Sequence, residues 1–269
     1  MSHMPRLDNT FGMLPLDGFE LVEAGDAQIV SRPEATAWAR KTVCRHGSLY
    51  RAAGGVATHT MSGRGPVPVL TNPIGDGDPW VVRRYWRGGL ARFLNDRFLR
   101  LGRPRSFKEL ETSVHLRKLN IRTPRVLVAA SYPTGLFYRA DLVTELVPQA
   151  SNLADVLLGD VKTSSRPWNF DQREQAIVAT IDLMRRMVTA GVCHPDFNAK
   201  NILVSQDPSG IRISLIDLDR CRLTNPSASG NVEPLLRRLT RSLHKISQVR
   251  SGTVTSHEIN LIQRGAVSR

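Results

Sequence analysis

The feature that most constrains this chain is the run His194-Pro-Asp196-Phe-Asn-Ala-Lys-Asn201, set between a helix-like segment and two strand-like ones. Ahead of it, Ile177, Val178, Ile181, Met184, Met187 and Val188 form an apolar stripe at helical spacing that stops at Gly191. Behind it, Asn201 to Ser205 and Ile211 to Ile216 read as strands joined by the turn-forming run Gln206-Asp-Pro-Ser-Gly210, and Asp217-Leu-Asp219 follows the second strand. Phosphoryl transfer needs a carboxylate to orient and accept the proton of the attacking hydroxyl, and oxygen ligands to hold Mg2+ on the nucleotide phosphates. An H-x-D-x-x-x-x-N loop, a hairpin and then an Asp supply both. Asp196 is the candidate catalytic carboxylate, and Asn201 and Asp217 are the candidate metal ligands, with ATP and Mg2+ as the implied cofactors.

Taken singly, Asp196 and Asn201 read equally well as turn residues and Asp217 as a strand-end cap. Their joint match, with a strand pair of suitable length between them, favours the catalytic reading. His194 is read as a hydrogen-bonding scaffold residue. Lys200 is read as a catalytic-loop cation steadying the transferred phosphate, with a solvated lysine as the alternative.

If residues 148–269 form a catalytic, mainly helical lobe, residues 1–147 should carry a glycine-containing hairpin, a cation and a helical Glu. The fold class expected is therefore α+β, a bilobal protein-kinase-like fold with a mainly β N-terminal lobe. Gly63-Arg-Gly65 precedes a strand from Pro66 to Leu70, where its amides can cover phosphates. A lone GxG is equally an ordinary turn. The strand Trp80-Val-Val-Arg83 has the spacing of V-A-I-K but ends in Arg; Arg84 faces the other side of the strand as the competitor. A helix predicted from Ser106 to Leu119, with Ser106 as N-cap, carries Glu109 as the pairing carboxylate and Glu111 as the alternative. Another helix is predicted from Leu90 to Leu101. Strands follow at Arg125 to Ala130, Phe137 to Arg139 and Asp141 to Val147. The end of the last, Thr144-Glu-Leu-Val147, resembles a hinge, with adenine contacting the backbone near Glu145 and Val147.

The chain has 37 Lys+Arg against 24 Asp+Glu, a formal charge of +13 over 269 residues, which favours anionic partners. Eight arginines fall between Arg83 and Arg105 against the single acid Asp96. They read as a surface for carboxylates, phosphates or anionic headgroups, or as a solvated basic helix face. A late helix repeats the pattern, with Leu235, Leu239, Leu243 and Ile246 on one face and Arg237, Arg241 and Lys245 on another; packing on a lobe, with incidental membrane attraction, is the reading preferred over an interfacial helix. Three cysteines without a CxxC pair suggest neither a disulfide framework nor a zinc site, and a reducing cytoplasm is the natural compartment. Met1 to Phe19 lacks the apolar core of a leader, and no run approaches a spanning helix in length, so a soluble or surface-attached protein is expected.

The run Val81 to Leu99, with Tyr85-Trp-Arg-Gly-Gly-Leu90 at its centre, together with Ser106-Phe-Lys-Glu-Leu110, Arg122-Thr-Pro124, Asp217-Leu-Asp-Arg-Cys-Arg222 and Leu235 to Lys245, resembles the 3-deoxy-D-manno-octulosonic acid (Kdo) kinases of the lipopolysaccharide kinase group. The resemblance covers about Gly63 to Ile246. It implies ATP-dependent phosphorylation of a hydroxyl on the Kdo sugar of Kdo-lipid A, at the cytoplasmic face of the inner membrane. It also implies that Arg at position 83 is normal. The expected partners are Kdo-lipid A and an anionic membrane surface, not nucleic acid. Lys200 is atypical for that group, and Met1 to Val56 does not align with it.

Three other readings compete. An atypical protein kinase of the RIO kind shares Asp196, Asn201 and Asp217. An aminoglycoside-type phosphotransferase calls for acidic pockets rather than an arginine stretch. A non-catalytic pseudokinase binding anionic lipid or nucleic acid fits the charge, but not the presence of base and metal ligands together.

Overall fold

The computed structural model describes residues 16–61, 63, 65–87, 96–159, 168–224, 231–250 and 254–267. The chain divides into two compact units: the first runs to Glu111 and includes Val126–Glu145, and the second comprises Thr112–Arg125 and everything from Leu146 onward. Residues 112–125 thus belong to the second unit although the first resumes after them. Leu116 and Ile121 are buried in the second unit's core, and Leu215 N–H bonds the Arg122 carbonyl, which ties that segment to a strand of the second unit.

The first unit is an antiparallel sheet with two helices inserted between its second and third strands. Its strands are β1 (Glu20–Ala24), β2 (Ala27–Ser31), β3 (His59–Met61), β4 (Val67–Leu70), β5 (Trp80–Arg84), β6 (Phe98–Leu99), β7 (Val126–Thr134) and β8 (Phe137–Glu145), in the spatial order β1-β2-β7-β8-β5-β4-β3. β5 and β6 share one edge of β8: Arg84 pairs with Asp141, and Phe98 with Tyr138. Helices α1 (Pro33–His46) and α2 (Leu49–Gly54) come from the stretch that had no sequence assignment. Pro33 starts α1 where its missing N–H costs nothing, and Gly47 ends it in the left-handed conformation, donating its N–H to Val43. Ser48 caps α2 through the Arg51 N–H. Ala35, Ala39 and Val43 bury one face of α1 with Ile29, Val82 and Val143, and Trp38 meets Trp80 edge to face at 5.0 Å.

Helix α3 (Arg105–Lys118) matches the predicted helix, but Ser106 is not its N-cap. Ser106 lies within the first turn and donates its hydroxyl to the Ala130 carbonyl, while the Phe107 and Lys108 amides use the Pro104 carbonyl. The two strands expected at Phe137 to Arg139 and Asp141 to Val147 are one continuous strand, β8, that ends at Glu145. Of the helix predicted from Leu90 to Leu101, residues 90–95 lie outside the described residues, and Phe98–Leu99 is strand, because its backbone completes the β8 edge left open beyond β5.

The second unit packs α4 (Leu153–Leu158), α5 (Phe170–Thr189), α6 (Glu233–Ser247) and α7 (Ser256–Val267) with short strands β9 (Ser151–Asn152), β10 (Val192–Cys193), β11 (Ile202–Asp207), β12 (Gly210–Leu215) and β13 (Arg222–Leu223). Asn169 and Gln172 form a reciprocal capping box at the start of α5, and Gly191 follows its end at φ +68°. Ile177, Ile181, Met184 and Met187 are buried in the core, whereas Val178 is exposed. In α6, Leu235, Leu236, Leu239, Leu243 and Ile246 pack into the same core. Arg237, Arg241 and Lys245 face solvent. The three cysteines are free thiols. Among the described residues, no helix is long and apolar enough to cross a membrane.

Candidate active site

The loop after β10 is held from several directions. His194 is fully buried, and its Nε2 donates to the Ile216 carbonyl at 3.3 Å, since a carbonyl only accepts. Phe197 is buried against the His194 ring. Asn198 caps a single 3-10 turn, Ala199–Asn201, by accepting the Lys200 N–H, and Ser242 of α6 accepts the Ala199 N–H. The Asn198 and Asn201 side-chain amides both donate to the Asp196 carbonyl, at 2.7 and 2.9 Å. Asn201 also passes its own carbonyl to the Ile216 N–H. Asp196, Asn201 and the residue before Asp217 are thus stitched into one framework by backbone and amide bonds.

Anchoring the Asn201 side chain by its Nδ2 leaves its Oδ1 as the end able to ligate a cation. Asp217 sits at φ +63°, a left-handed conformation that costs an Asp about 1 kcal/mol. The turn it begins carries Asp219, only 8% exposed, with a carboxylate oxygen within 4.8 Å of one from Asp217. Asp217 and Asp219 thus bring two carboxylates together, oxygen donors of the kind magnesium takes. Lys200 is exposed. The carboxylate of Asp196 pairs with Arg220 at 2.9 Å.

In the first unit, Arg83 on β5 donates to Glu109 on α3 at 2.5 Å, and the Tyr85 hydroxyl donates to the other oxygen of Glu109, which is 3% exposed. Glu111 instead pairs with Arg103. Arg84 points away from that pair into a buried cluster: it bonds the fully buried Asp141, Asp96 and the Ser48 hydroxyl. Burial pulls the Arg84 guanidinium down, but the adjacent Asp141 and Asp96 outweigh it, and the group is raised above its usual range. The arginine stretch is therefore not a uniform anion-binding face, because Arg83, Arg84 and Arg103 are matched by carboxylates of the same unit. Gly63 and Gly65 flank the approach to β4. A Cβ on Gly65 would meet the Trp86 indole at 2.6 Å, and Trp86 in turn stands edge-on to Tyr50, whose hydroxyl bonds the Pro66 carbonyl. Glu145 ends β8 opposite Trp80, and Val147 follows it, ahead of the Pro148–Gln149 turn.

Residues 73–258 match the model of the lipopolysaccharide kinase (Kdo/WaaP) family. The chain belongs to this family. Its curated relatives include the 3-deoxy-D-manno-octulosonic acid kinases of Xanthomonas oryzae pv. oryzae (strain PXO99A), 36% identical over 205 residues and 75% of each chain, and of Stenotrophomonas maltophilia (strain R551-3), 36% identical over 192 residues and 70% of each chain. The Pasteurella multocida enzyme is 34% identical over 52% of this chain and 56% of its own. Among solved structures, WaaP in complex with acyl carrier protein is similar at TM-score 0.51 and 16% identity, over 93% of this chain and 89% of that one. The fold is thus protein-kinase-like, and the chain is a phosphotransferase of the lipopolysaccharide kinase family.

Two residues of this lipopolysaccharide kinase escaped the sequence reading of the site. Asp219 was legible as the second acid of Asp217-Leu-Asp219, but nothing in the sequence announced its burial beside Asp217. Arg220 lies in the run from Asp217 to Arg222 that carries the family resemblance, but only the folded turn brings it to Asp196.

Proposed function

We propose that this chain transfers the γ-phosphoryl group of ATP to a hydroxyl on the Kdo sugar of Kdo-lipid A during lipopolysaccharide core biosynthesis. The bond from the acceptor oxygen to phosphorus forms as the bond from phosphorus to the ADP oxygen breaks, and Asp196 takes the hydroxyl proton. The observation that carries this reading is the Asn201 amide bond to the Asp196 carbonyl. One short loop ties the backbone of the proton acceptor to the side-chain nitrogen of the proposed ligand, which a loop serving only as a turn does not require.

Asn201, Asp217 and Asp219 would hold Mg2+, which when bound offsets phosphate charge. Asp219 joins the two ligands expected from sequence because its carboxylate lies beside that of Asp217. Lys200, at the exposed end of the loop, steadies the transferring group. Nucleotide contacts are assigned to the amides around Gly63 and Gly65, to Arg83 oriented by Glu109, and to the backbone at Glu145 and Val147. The acceptor assignment draws on the relatives' names. Work at the cytoplasmic face of the inner membrane follows from such a glycolipid, and the exposed Arg237, Arg241 and Lys245 suit its anionic surface.

Incubation with labelled ATP and Kdo-lipid A, a generic protein or an aminoglycoside, followed by mass spectrometry of each acceptor, tests the reading. Phosphate is expected only on the Kdo sugar, and Asp196→Ala should lower turnover roughly 10²- to 10⁴-fold. Transfer to protein alone, or full activity without Asp196, overturns it.

A further inference from the structure

Arg220 lies outside every role assigned so far, yet its guanidinium is 2.9 Å from the carboxylate of Asp196. The turn that presents it is fixed: Leu218 and Asp219 are buried, and the Cys221 N–H closes onto the Leu218 carbonyl at 3.0 Å. The Arg220 side chain itself is 58% exposed, and the pair it makes is of the solvent-facing kind that adds little to stability. Its location is the informative part. A proton acceptor works on a hydroxyl at about 2.6–3.2 Å, so a group in hydrogen-bond contact with the Asp196 carboxylate stands next to the docked hydroxyl. A guanidinium has five N–H donors in a rigid fork, and the bond to Asp196 uses one of them, leaving an edge shaped for a second carboxylate.

We propose that Arg220 is the acceptor-recognition residue, binding the carboxylate of an acidic sugar so that a neighbouring hydroxyl faces Asp196. The inference rests on the phosphotransfer reading above and names what that site selects: an acceptor bearing a carboxylate close to the reacting hydroxyl. Neutral sugars and water lack the anion that Arg220 takes, so they are held poorly at Asp196 even when they fit.

The test compares wild type, Arg220→Gln and Arg220→Lys on Kdo-lipid A and on the same glycolipid with its Kdo carboxylate converted to a carboxamide, with thermal unfolding as the folding control. Wild type should lose roughly 10- to 100-fold in kcat/KM on the carboxamide, the range of a charge-assisted bidentate contact. Arg220→Gln should lose a similar factor on the native acceptor through the acceptor KM, keep its KM for ATP, and no longer distinguish the two acceptors. Arg220→Lys, which keeps the charge but not the fork, should fall between. A fall in kcat alike on both acceptors would make Arg220 only a support for Asp196, and a raised KM for ATP would make it a nucleotide contact; either overturns the proposal. So does an Arg220→Gln enzyme that still discriminates. If wild type phosphorylates neither acceptor, the phosphotransfer reading fails and takes this one with it, whereas turnover without discrimination sinks this inference alone.

Discussion

Arg83 and Arg84 are neighbours on β5, and the structure separates their duties sharply enough to be tested by replacing Arg84 with Ala. The Arg84 side chain is 12% exposed, and its partner Asp141 is fully buried, so solvent screens their interaction little. Removing the guanidinium strips Asp141 of its contacts at 3.0 and 3.4 Å and leaves the Tyr50 N–H at 2.9 Å and the Tyr132 hydroxyl to support the carboxylate. Asp96 and Ser48 lose a partner at the same time. Breaking a buried ion pair from one side costs about 3–5 kcal/mol, a large share of the roughly 5–15 kcal/mol that keeps a typical protein folded. Three of the four tryptophans, Trp38, Trp80 and Trp86, lie in the first unit, so urea unfolding followed by tryptophan emission reports this change. Arg84→Ala should lower stability by about that amount. Pairing it with Asp141→Asn should recover about 1–3 kcal/mol of the loss, because the uncompensated charge is gone. At low temperature the folded Arg84 variant should keep the KM for ATP, while Arg83→Ala should raise it. An Arg84→Ala protein within about 1 kcal/mol of wild type, or one as stable as wild type with a raised KM for ATP, refutes the reasoning and returns the phosphate contact to Arg84.

Burial and the nearby Asp141 push the Tyr132 hydroxyl well above its ordinary value near 10. A raised folded-state value means stability present below pH about 10 and lost as pH climbs above it, since only the unfolded chain ionises there. Alkaline titration of the urea midpoint should show that fall, and Tyr132→Phe, though weakened by an orphaned Leu49 N–H, should flatten it. Gly65→Ala drives a methyl into the Trp86 indole, a strain of about 1–3 kcal/mol, and should shift the emission spectrum and raise the KM for ATP together. Unchanged values of both would detach the loop from nucleotide binding. Converting Arg237, Arg241 and Lys245 to Glu leaves the buried face of α6 intact and should weaken sedimentation with anionic vesicles by about 1 kcal/mol per charge, an effect that salt should erase.

What the sequence disclosed, and what it hid, divides along the range of the forces involved. The loop from His194 to Asn201 and the hairpin after it were legible because their bonds are local: Asn198 caps the turn two residues on, and Asn201 reaches back five residues to Asp196. The Arg83 and Glu109 pair joins residues 26 positions apart, on β5 and α3, and Tyr85, which completes it, stood in the family-like run without a role of its own. Asp141 misled outright. A charged residue looked like the start of a new strand, whereas it lies in the middle of β8, tolerated there because Arg84 on the paired strand and Tyr50 at the start of α2 satisfy it. Arg83, Arg84 and Arg103 make the same point, as counting charge along the chain says nothing of the carboxylates that fold against them. Arg220 is the opposite case. It reads as one more surface arginine of a basic chain, and only the closed turn from Asp217 makes it a neighbour of Asp196. In this chain the chemistry could be inferred from residues that bond nearby, while the choice of acceptor depends on a cation that the fold brings from 24 residues away.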